Sequence, residues 1–175
     1  MRTPSVRLVN LARCQKFEER AAALYRSFAA AHLDDRELAA LWTALAADED
    51  EHARSIREAQ DGLTSQERDS TAVEGCEAAL ADVDDRLRHA DSLGTDITPD
   101  RRLAAALDLE LSELEALRRL CLHASGVTCT TTAEHSHLRR LADTAMRRSH
   151  AGNVRLTAAV LLARYRLAAD VAARS

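Results

Sequence analysis

The sequence has little of the material from which β-sheets are built. Its 175 residues include five glycines, two prolines and 3% aromatic side chains, while alanine, leucine, arginine and glutamate dominate. Strong helix formers in that proportion predict an all-α protein. The length suits one domain with a sizeable core, so residues 1–175 are expected to form a single domain.

Other absences restrict the function classes. The longest apolar run, residues 158–163, is far too short to span a bilayer, and the N-terminus MRTPSVRLVN has no signal-like apolar region. The net charge is −4 and the charges are interspersed, so no basic stripe indicates nucleic acid. Neither a membrane nor a nucleic acid is therefore expected as a partner. The four cysteines form no C-x-x-C pair, which predicts reduced thiols and a cytoplasmic protein: Cys14, Cys76, Cys121 and Cys129.

What the sequence does have is a series of clear helix starts. Four long helices are predicted over about 4–32, 35–60, 99–124 and 132–172, from caps at Thr3-Pro4, Asp34-x-x-Glu37, Thr98-Pro99 and Thr131-x-x-Glu134. The connection 61–98 is too long for a hairpin loop. It has a capping box of its own at Thr71-x-x-Glu74 and a stop near Gly94, so it is expected to contain a short extra helix.

Two helical hairpins joined by one long crossover form a ferritin-type four-helix bundle. A helix of about 25 residues is about 37 Å long, so the third long helix can run parallel to the second only if the chain first travels back that distance. The crossover 61–98 supplies this length. The sequence therefore predicts that the first two long helices are antiparallel and that the second and third are parallel.

The second predicted helix carries a carboxylate and an imidazole where core residues belong. Its apolar stripe continues onto Glu49 and His52, whose spacing presents both side chains to one metal ion. An exposed acidic face is the alternative, because residues 48–51 are all acidic. The stripe argues against exposure, since it runs along the helix through Leu38, Leu41, Trp42, Leu45 and Ile56.

An internal repeat places glutamates on the core stripe of two further helices. The segment LARCQKFEERAAALYRSF aligns without gaps with LAAALDLELSELEALRRL, and Glu18 then coincides with Glu110. With Glu49 and His52, these residues make three quarters of the ligand set of a carboxylate-bridged two-metal site in a four-helix bundle. Carboxylates with one or two imidazoles suit iron or manganese.

With these residues the chain resembles the rubrerythrin-like branch of the ferritin superfamily. Glu18 followed by Tyr25, then Glu49-x-x-His52, looks like the first half of that family's pattern, and Glu110-x-x-Glu113 is similar to its doubled glutamate. The resemblance implies a ferritin-like bundle with a di-iron (or manganese) cofactor, whose reduced form reduces hydrogen peroxide, and a homodimer. Family members also carry an iron domain with two C-x-x-C pairs. This chain has none, so an external electron donor is expected.

The fourth predicted helix departs from the family pattern, which has a second Glu-x-x-His there. Alignment by the helix starts puts Met146 and Ser149 at those positions, and alignment by histidine puts Arg147 and His150 there. Neither alignment supplies the carboxylate, and His150 remains either a core histidine or a ligand. Glu134-x-x-His137 has the right spacing but lies in the first turns, so it is interpreted as a cap with a solvated histidine.

The first functional hypothesis is therefore a two-metal protein that reduces peroxide or handles iron. Its metal ligands would be Glu18, Glu49, His52 and Glu110, joined by Glu113 and His150 if these turn inward, with Tyr25 beside them. Because the fourth helix lacks a carboxylate, the Glu18 half is expected to bind metal more tightly than the Glu110 half. Glu113 is either a metal ligand or a solvated residue next to the apolar stripe. The alternative is a degenerate ferritin-like bundle that binds one metal or none and acts in protein interaction or iron handling.

Overall fold

The described part of the chain is entirely helical. The computed structural model describes residues 6–63, 76–94, 97–122 and 134–172, with side chains described at 9–63, 77–94, 97–113 and 137–164. These ranges contain no strand and six helices: α1 Val6–Ala30, α2 Arg36–Gly62, α3 Cys76–Ser92, α4 Pro99–Leu122, α5 Glu134–Arg148 and α6 Gly152–Ala172. The prediction of an all-α protein is confirmed. Among the described helices, none has the length and apolarity that crossing a bilayer requires.

Local capping explains several helix boundaries. The carboxylate of Asp35 accepts a 3.2 Å hydrogen bond from the Leu38 N–H at the start of α2, one residue later than the cap predicted at Asp34. The Thr98 hydroxyl accepts from the Arg101 N–H (3.4 Å) at the start of α4. Gly94 follows α3 with φ +71°, the left-handed conformation that favours glycine at a helix end. The caps expected at Thr3-Pro4, Thr71-x-x-Glu74 and Thr131 lie outside the described residues.

The helix predicted over 132–172 is wrong as a continuous element. The chain forms α5 and α6 instead, separated by residues 149–151. The Ser149 side chain accepts a 3.1 Å hydrogen bond from the Ala151 N–H, a local bond that competes with the helical pattern. The N–H of Arg155 then bonds to the Ala151 carbonyl and begins α6, which packs against α4 and α5.

Contacts between side chains set the directions of the helices. Near its start, α1 meets the end of α2 through Gln15 and Gln60, and near its end Tyr25 stacks on Trp42, so the two helices are antiparallel. Helix α4 is also antiparallel to α1, because Tyr25 bonds to Glu110 while the later residue His32 meets the earlier residue Arg102. It follows that α2 and α4 run in the same direction.

The remaining helices close the core around these three. Helix α5 runs antiparallel to α2, with Arg140 paired to Asp48 and Arg147 to Glu37. Helix α3 packs on α1 and α4 and runs parallel to α1, as the ion pairs Arg13–Glu77 and Arg20–Asp91 show. Helix α3 therefore carries the chain back along the molecule between the two hairpins, which is the task predicted for the crossover 61–98.

Aromatic side chains are few but concentrated in one part of the core. Tyr25 and Trp42 are fully buried and stack with ring centroids 5.9 Å apart. Phe28 meets Trp42 edge to face at 5.2 Å. Because large rings bury much apolar surface, this cluster anchors α1 against α2, with Tyr25 about two turns from Glu18 and Trp42 about two turns from Glu49.

Candidate metal centre

The first group of metal-ligand side chains comes from the antiparallel pair α1 and α2. The apolar stripes of these helices face each other, and Glu18 and Glu49 stand on those stripes. His52 Nδ1 lies 2.8 Å from Glu49 Oε2 and 3.6 Å from Glu18 Oε2. One donor atom from each of Glu18, Glu49 and His52 lies within 4.8 Å of the others. We call these three residues the outer triad.

A second group joins α2 to α4 and α5. His137 Nε2 lies 3.0 Å from Glu110 Oε2 and 3.9 Å from Glu49 Oε1. One donor atom from each of Glu49, Glu110 and His137 again lies within 4.8 Å of the others. We call these three residues the inner triad.

Glu49 belongs to both triads through different oxygen atoms. Its Oε2 faces His52 of the outer triad, and its Oε1 faces His137 of the inner triad. A carboxylate held in this way can bridge two cations. Each triad offers two carboxylates and one imidazole, a donor set that suits divalent first-row metals such as iron and manganese.

Burial makes this arrangement costly without a cation. The exposed fractions are 4% for Glu18, 1% for Glu49, 3% for Glu110 and 3% for His137. Within the described residues, Glu18 Oε2, Glu49 Oε1 and His137 Nδ1 have no hydrogen-bond partner. Buried polar atoms are rarely left unpaired, and bound cations would satisfy the two carboxylate oxygens. The residues present therefore fit a metal centre.

The acids of the centre titrate differently because their neighbours differ. Burial, followed by the charges of Glu110 and Glu18, raises the pKa of Glu49 well above its usual range. Burial alone would also raise the pKa of Glu110, but the charge and hydrogen bond of His137 and the Tyr25 hydroxyl outweigh it and lower that pKa. Without metal, these surroundings thus favour a proton on Glu49 over one on Glu110.

Tyr25 is held directly beside the inner triad. Its hydroxyl donates a 2.7 Å hydrogen bond to Glu110 Oε1, while Glu110 Oε2 faces His137. Burial, with the charges of Glu110 and Glu49, raises the pKa of Tyr25 well above its ordinary value, so the hydroxyl stays protonated and donates. Both oxygens of Glu110 are therefore oriented by neighbours.

Glu113 is buried near the centre but belongs to neither triad. It is 7% exposed, and its Oε1 has no hydrogen-bond partner within the described residues. Burial, with the charges of Glu18, Glu110 and Glu49, raises its pKa well above the usual range. The alternative of a solvated Glu113 is therefore wrong, and the side chain is buried at the edge of the site, where its protonated form is favoured.

The histidine expected from the end of the bundle does not reach the centre. His150 is exposed and lines an open groove with Thr98 and Pro99, and Arg147 is paired with Glu37. The interpretation of His137 as a solvated residue of a cap is also wrong, because His137 is buried in the inner triad. Helix α5 is only 15 residues long and antiparallel to α2, so its first turns lie level with Glu49.

The spacing Glu134-x-x-His137 was the signal that could have identified this histidine. It repeats the spacing Glu49-x-x-His52 on the partner helix. The side chain of Glu134 lies outside the described residues, although its backbone is the first residue of α5. The spacing of the motif was informative, but its position along the bundle depends on how α5 packs against α2.

No protein-family model, curated protein or solved structure matches this chain. Assignment of the centre therefore depends on its own geometry. That geometry brings together the four expected ligands Glu18, Glu49, His52 and Glu110, and it adds His137. Tyr25 and Glu113 lie beside these residues, whereas His150 lies at the surface.

Proposed function

We propose that this protein is a carboxylate-bridged two-metal protein of the rubrerythrin-like kind. The observation that carries the proposal is the division of Glu49 between two triads, one oxygen facing His52 and the other facing His137. Glu18 and Glu110 would each bind one ion from opposite sides. A shared carboxylate with an imidazole on either side is the arrangement expected of two neighbouring cations.

The topology supports a ferritin-like bundle as the scaffold. The antiparallel hairpin of α1 and α2 is followed by the returning helix α3 and then by α4, which is parallel to α2. The ligands come from α1, α2, α4 and α5, the four helices that surround the acidic residues. Division of the last helix into α5 and α6 is a departure from the four long helices of that fold.

Charge supports two divalent ions in preference to one. The triads contain three carboxylates, Glu18, Glu49 and Glu110, and Glu113 is a fourth buried acid beside them. Four ionised carboxylates would balance two divalent cations, because a bound cation favours ionisation of nearby acids. Glu134, three residues before His137, is a further carboxylate on the helix that supplies the second imidazole.

The chemistry we propose is reduction of hydrogen peroxide. Bound iron would supply the electrons, because it changes oxidation state while its ligands stay in place. Glu49 and Glu110 would hold the ions, Tyr25 orients Glu110, and the burial of these side chains keeps large substrates away from them. An external electron donor would then restore the reduced state.

A metal-free bundle is the second candidate, and one observation favours it. The acids and imidazoles already pair with each other, as in His137–Glu110 at 3.0 Å and His52–Glu49 at 2.8 Å. A buried cluster that is satisfied by internal bonds and bound protons can serve as a structural element. The unpartnered oxygens of Glu18 and Glu49 weigh against this candidate.

Anaerobic dialysis of metal-free protein against ferrous or manganous ion tests the proposal. We expect two ions per chain in the native protein and loss of both in Glu49→Ala, because Glu49 serves both triads. The matched control is Glu51→Ala on the same helix, since Glu51 is exposed and paired with Arg54, and it should retain both ions. Absence of bound metal in the native protein would establish the metal-free alternative. Peroxide consumption by the reduced, iron-loaded protein then tests the reaction.

A further inference from the structure

The two triads have the same donor set but different access to solvent. Each contains two carboxylates and one imidazole. The side chain of His52 in the outer triad is 17% exposed, whereas the side chains of His137 and Glu110 in the inner triad are 4% and 3% exposed. The two triads therefore offer the same types of donor but differ in the exposure of their histidines.

The inner triad is closed on the side away from His52. The Tyr25 hydroxyl is bonded to Glu110, its ring stacks on Trp42, and both aromatic side chains are fully buried. Phe28 packs edge to face on Trp42 and extends this wall. An ion cannot pass through close-packed aromatic rings without local unfolding.

Along α2, Trp42 lies about two turns before the shared Glu49, whereas His52 lies about one turn after it. The centroid of the His52 ring lies 5.1 Å from the centroid of the His137 ring in an edge-to-face arrangement. Among the five side chains of the two triads, His52 is the one with appreciable exposure. Among the described residues, the approach from solvent that these exposures indicate therefore passes the His52 ring and the outer triad.

We propose that His52 controls metal exchange, so that divalent ions load through the outer triad and an ion in the inner triad is retained until the outer triad is empty. This inference rests on the proposed two-metal function and adds the order in which the two ions bind and leave. The outer position would exchange readily with solvent. The inner position would hold a kinetically trapped ion, although both positions offer two carboxylates and one imidazole.

Chelator-driven release measures the two positions separately. Protein loaded with manganous ion is mixed with excess EDTA, passed through a desalting column at set times, and the retained manganese is counted. We expect two phases of similar amplitude in the native protein. In His52→Ala the remaining ion should leave without a slow phase, because the route past residue 52 is open. In His137→Ala the slow phase should be absent, because the inner position has lost its imidazole.

A control variant distinguishes passage past His52 from general unfolding. His32 packs against the aromatic wall and belongs to neither triad: its ring centroid lies 6.4 Å from that of Trp42, and its Nδ1 lies 2.9 Å from the Phe28 carbonyl oxygen. His32→Ala therefore weakens the wall and leaves the approach past His52 unchanged. We expect His32→Ala to keep the slow phase. Acceleration in His32→Ala equal to that in His52→Ala, or a single release rate from native protein that holds two ions, would overturn the inference. Native protein that binds no manganese at equilibrium would instead overturn the proposed function and the inference with it.

Discussion

The hydroxyl of Tyr25 in α1 donates a 2.7 Å hydrogen bond to Glu110 of α4, across 85 positions of sequence. The other oxygen of Glu110 lies 3.0 Å from His137 Nε2. Glu110 is therefore oriented before any ion binds. The Tyr25 hydroxyl of α1 donates to one of its oxygens, and His137 of α5, which would bind the same ion, contacts the other. Such outer partners fix a ligand's geometry and strengthen metal binding.

Replacement of Tyr25 by phenylalanine should weaken both the fold and the site. A buried hydrogen bond to an ionised group contributes about 1.5–3 kcal/mol, so the free energy of unfolding of metal-free Tyr25→Phe should fall by that order. Loss of an orienting partner should lower metal affinity by about 10–100-fold. Denaturant unfolding and calorimetric titration measure the two effects. Thr43→Ala on the exposed face of α2 is the control and should change neither quantity by a comparable amount.

The two candidate histidines of the C-terminal region should behave in opposite ways. His137→Ala removes an imidazole from the inner triad, so we expect one ion fewer per chain. His150→Ala alters an exposed side chain and should leave the metal content unchanged. Metal analysis after anaerobic dialysis decides between them. Loss of metal in His150→Ala, with none in His137→Ala, would contradict the geometry of the site.

Glu113 should make the metal-free protein less stable as the pH rises. Its pKa is raised well above the usual range by burial and nearby carboxylates, so the folded state keeps a proton that the unfolded state releases above about pH 4.5. Stability from this group is full below that pH and is lost as the pH rises towards the folded-state pKa. Glu113→Gln keeps the shape without the charge. It should therefore raise the free energy of unfolding by about 1 kcal/mol or more at pH 8, with little effect at pH 4.5. Urea unfolding at both pH values provides the test, and an equal effect at both would contradict it.

Metal binding should release protons because the metal-free protein favours the protonated form of Glu49. Burial and the charges of Glu110 and Glu18 raise the pKa of Glu49, and a cation binds only its ionised form. Affinity for manganous ion should therefore increase with pH up to the folded-state pKa of Glu49. Calorimetry in buffers of different ionisation enthalpy measures the protons released. A binding enthalpy independent of the buffer would show that Glu49 is already ionised.

Much of the fold was predictable because helices are encoded locally. Caps, apolar periodicity and the stop at Gly94 depend on neighbouring residues, and the described residues contain helices over the first three predicted long ranges and an extra helix that ends before Gly94. The break at 149–151 escaped prediction, because the side chain of Ser149 forms a bond that periodicity does not reveal. Glu18, Glu49 and Glu110 could be recognised because each interrupts an apolar stripe.

The sequence by itself determined which residue types and spacings were available: helical stripes with glutamates on the core face, and two Glu-x-x-His segments. Only the tertiary structure decided which histidine completes the inner triad. The spacing of residues along one helix follows from the helical repeat. The position of a residue along the bundle axis depends instead on the register in which the antiparallel helices pack. Here the ion pairs of Arg140 with Asp48 and Arg147 with Glu37 accompany the alignment of α5 with α2 that puts His137 beside Glu49 and leaves His150 in solvent.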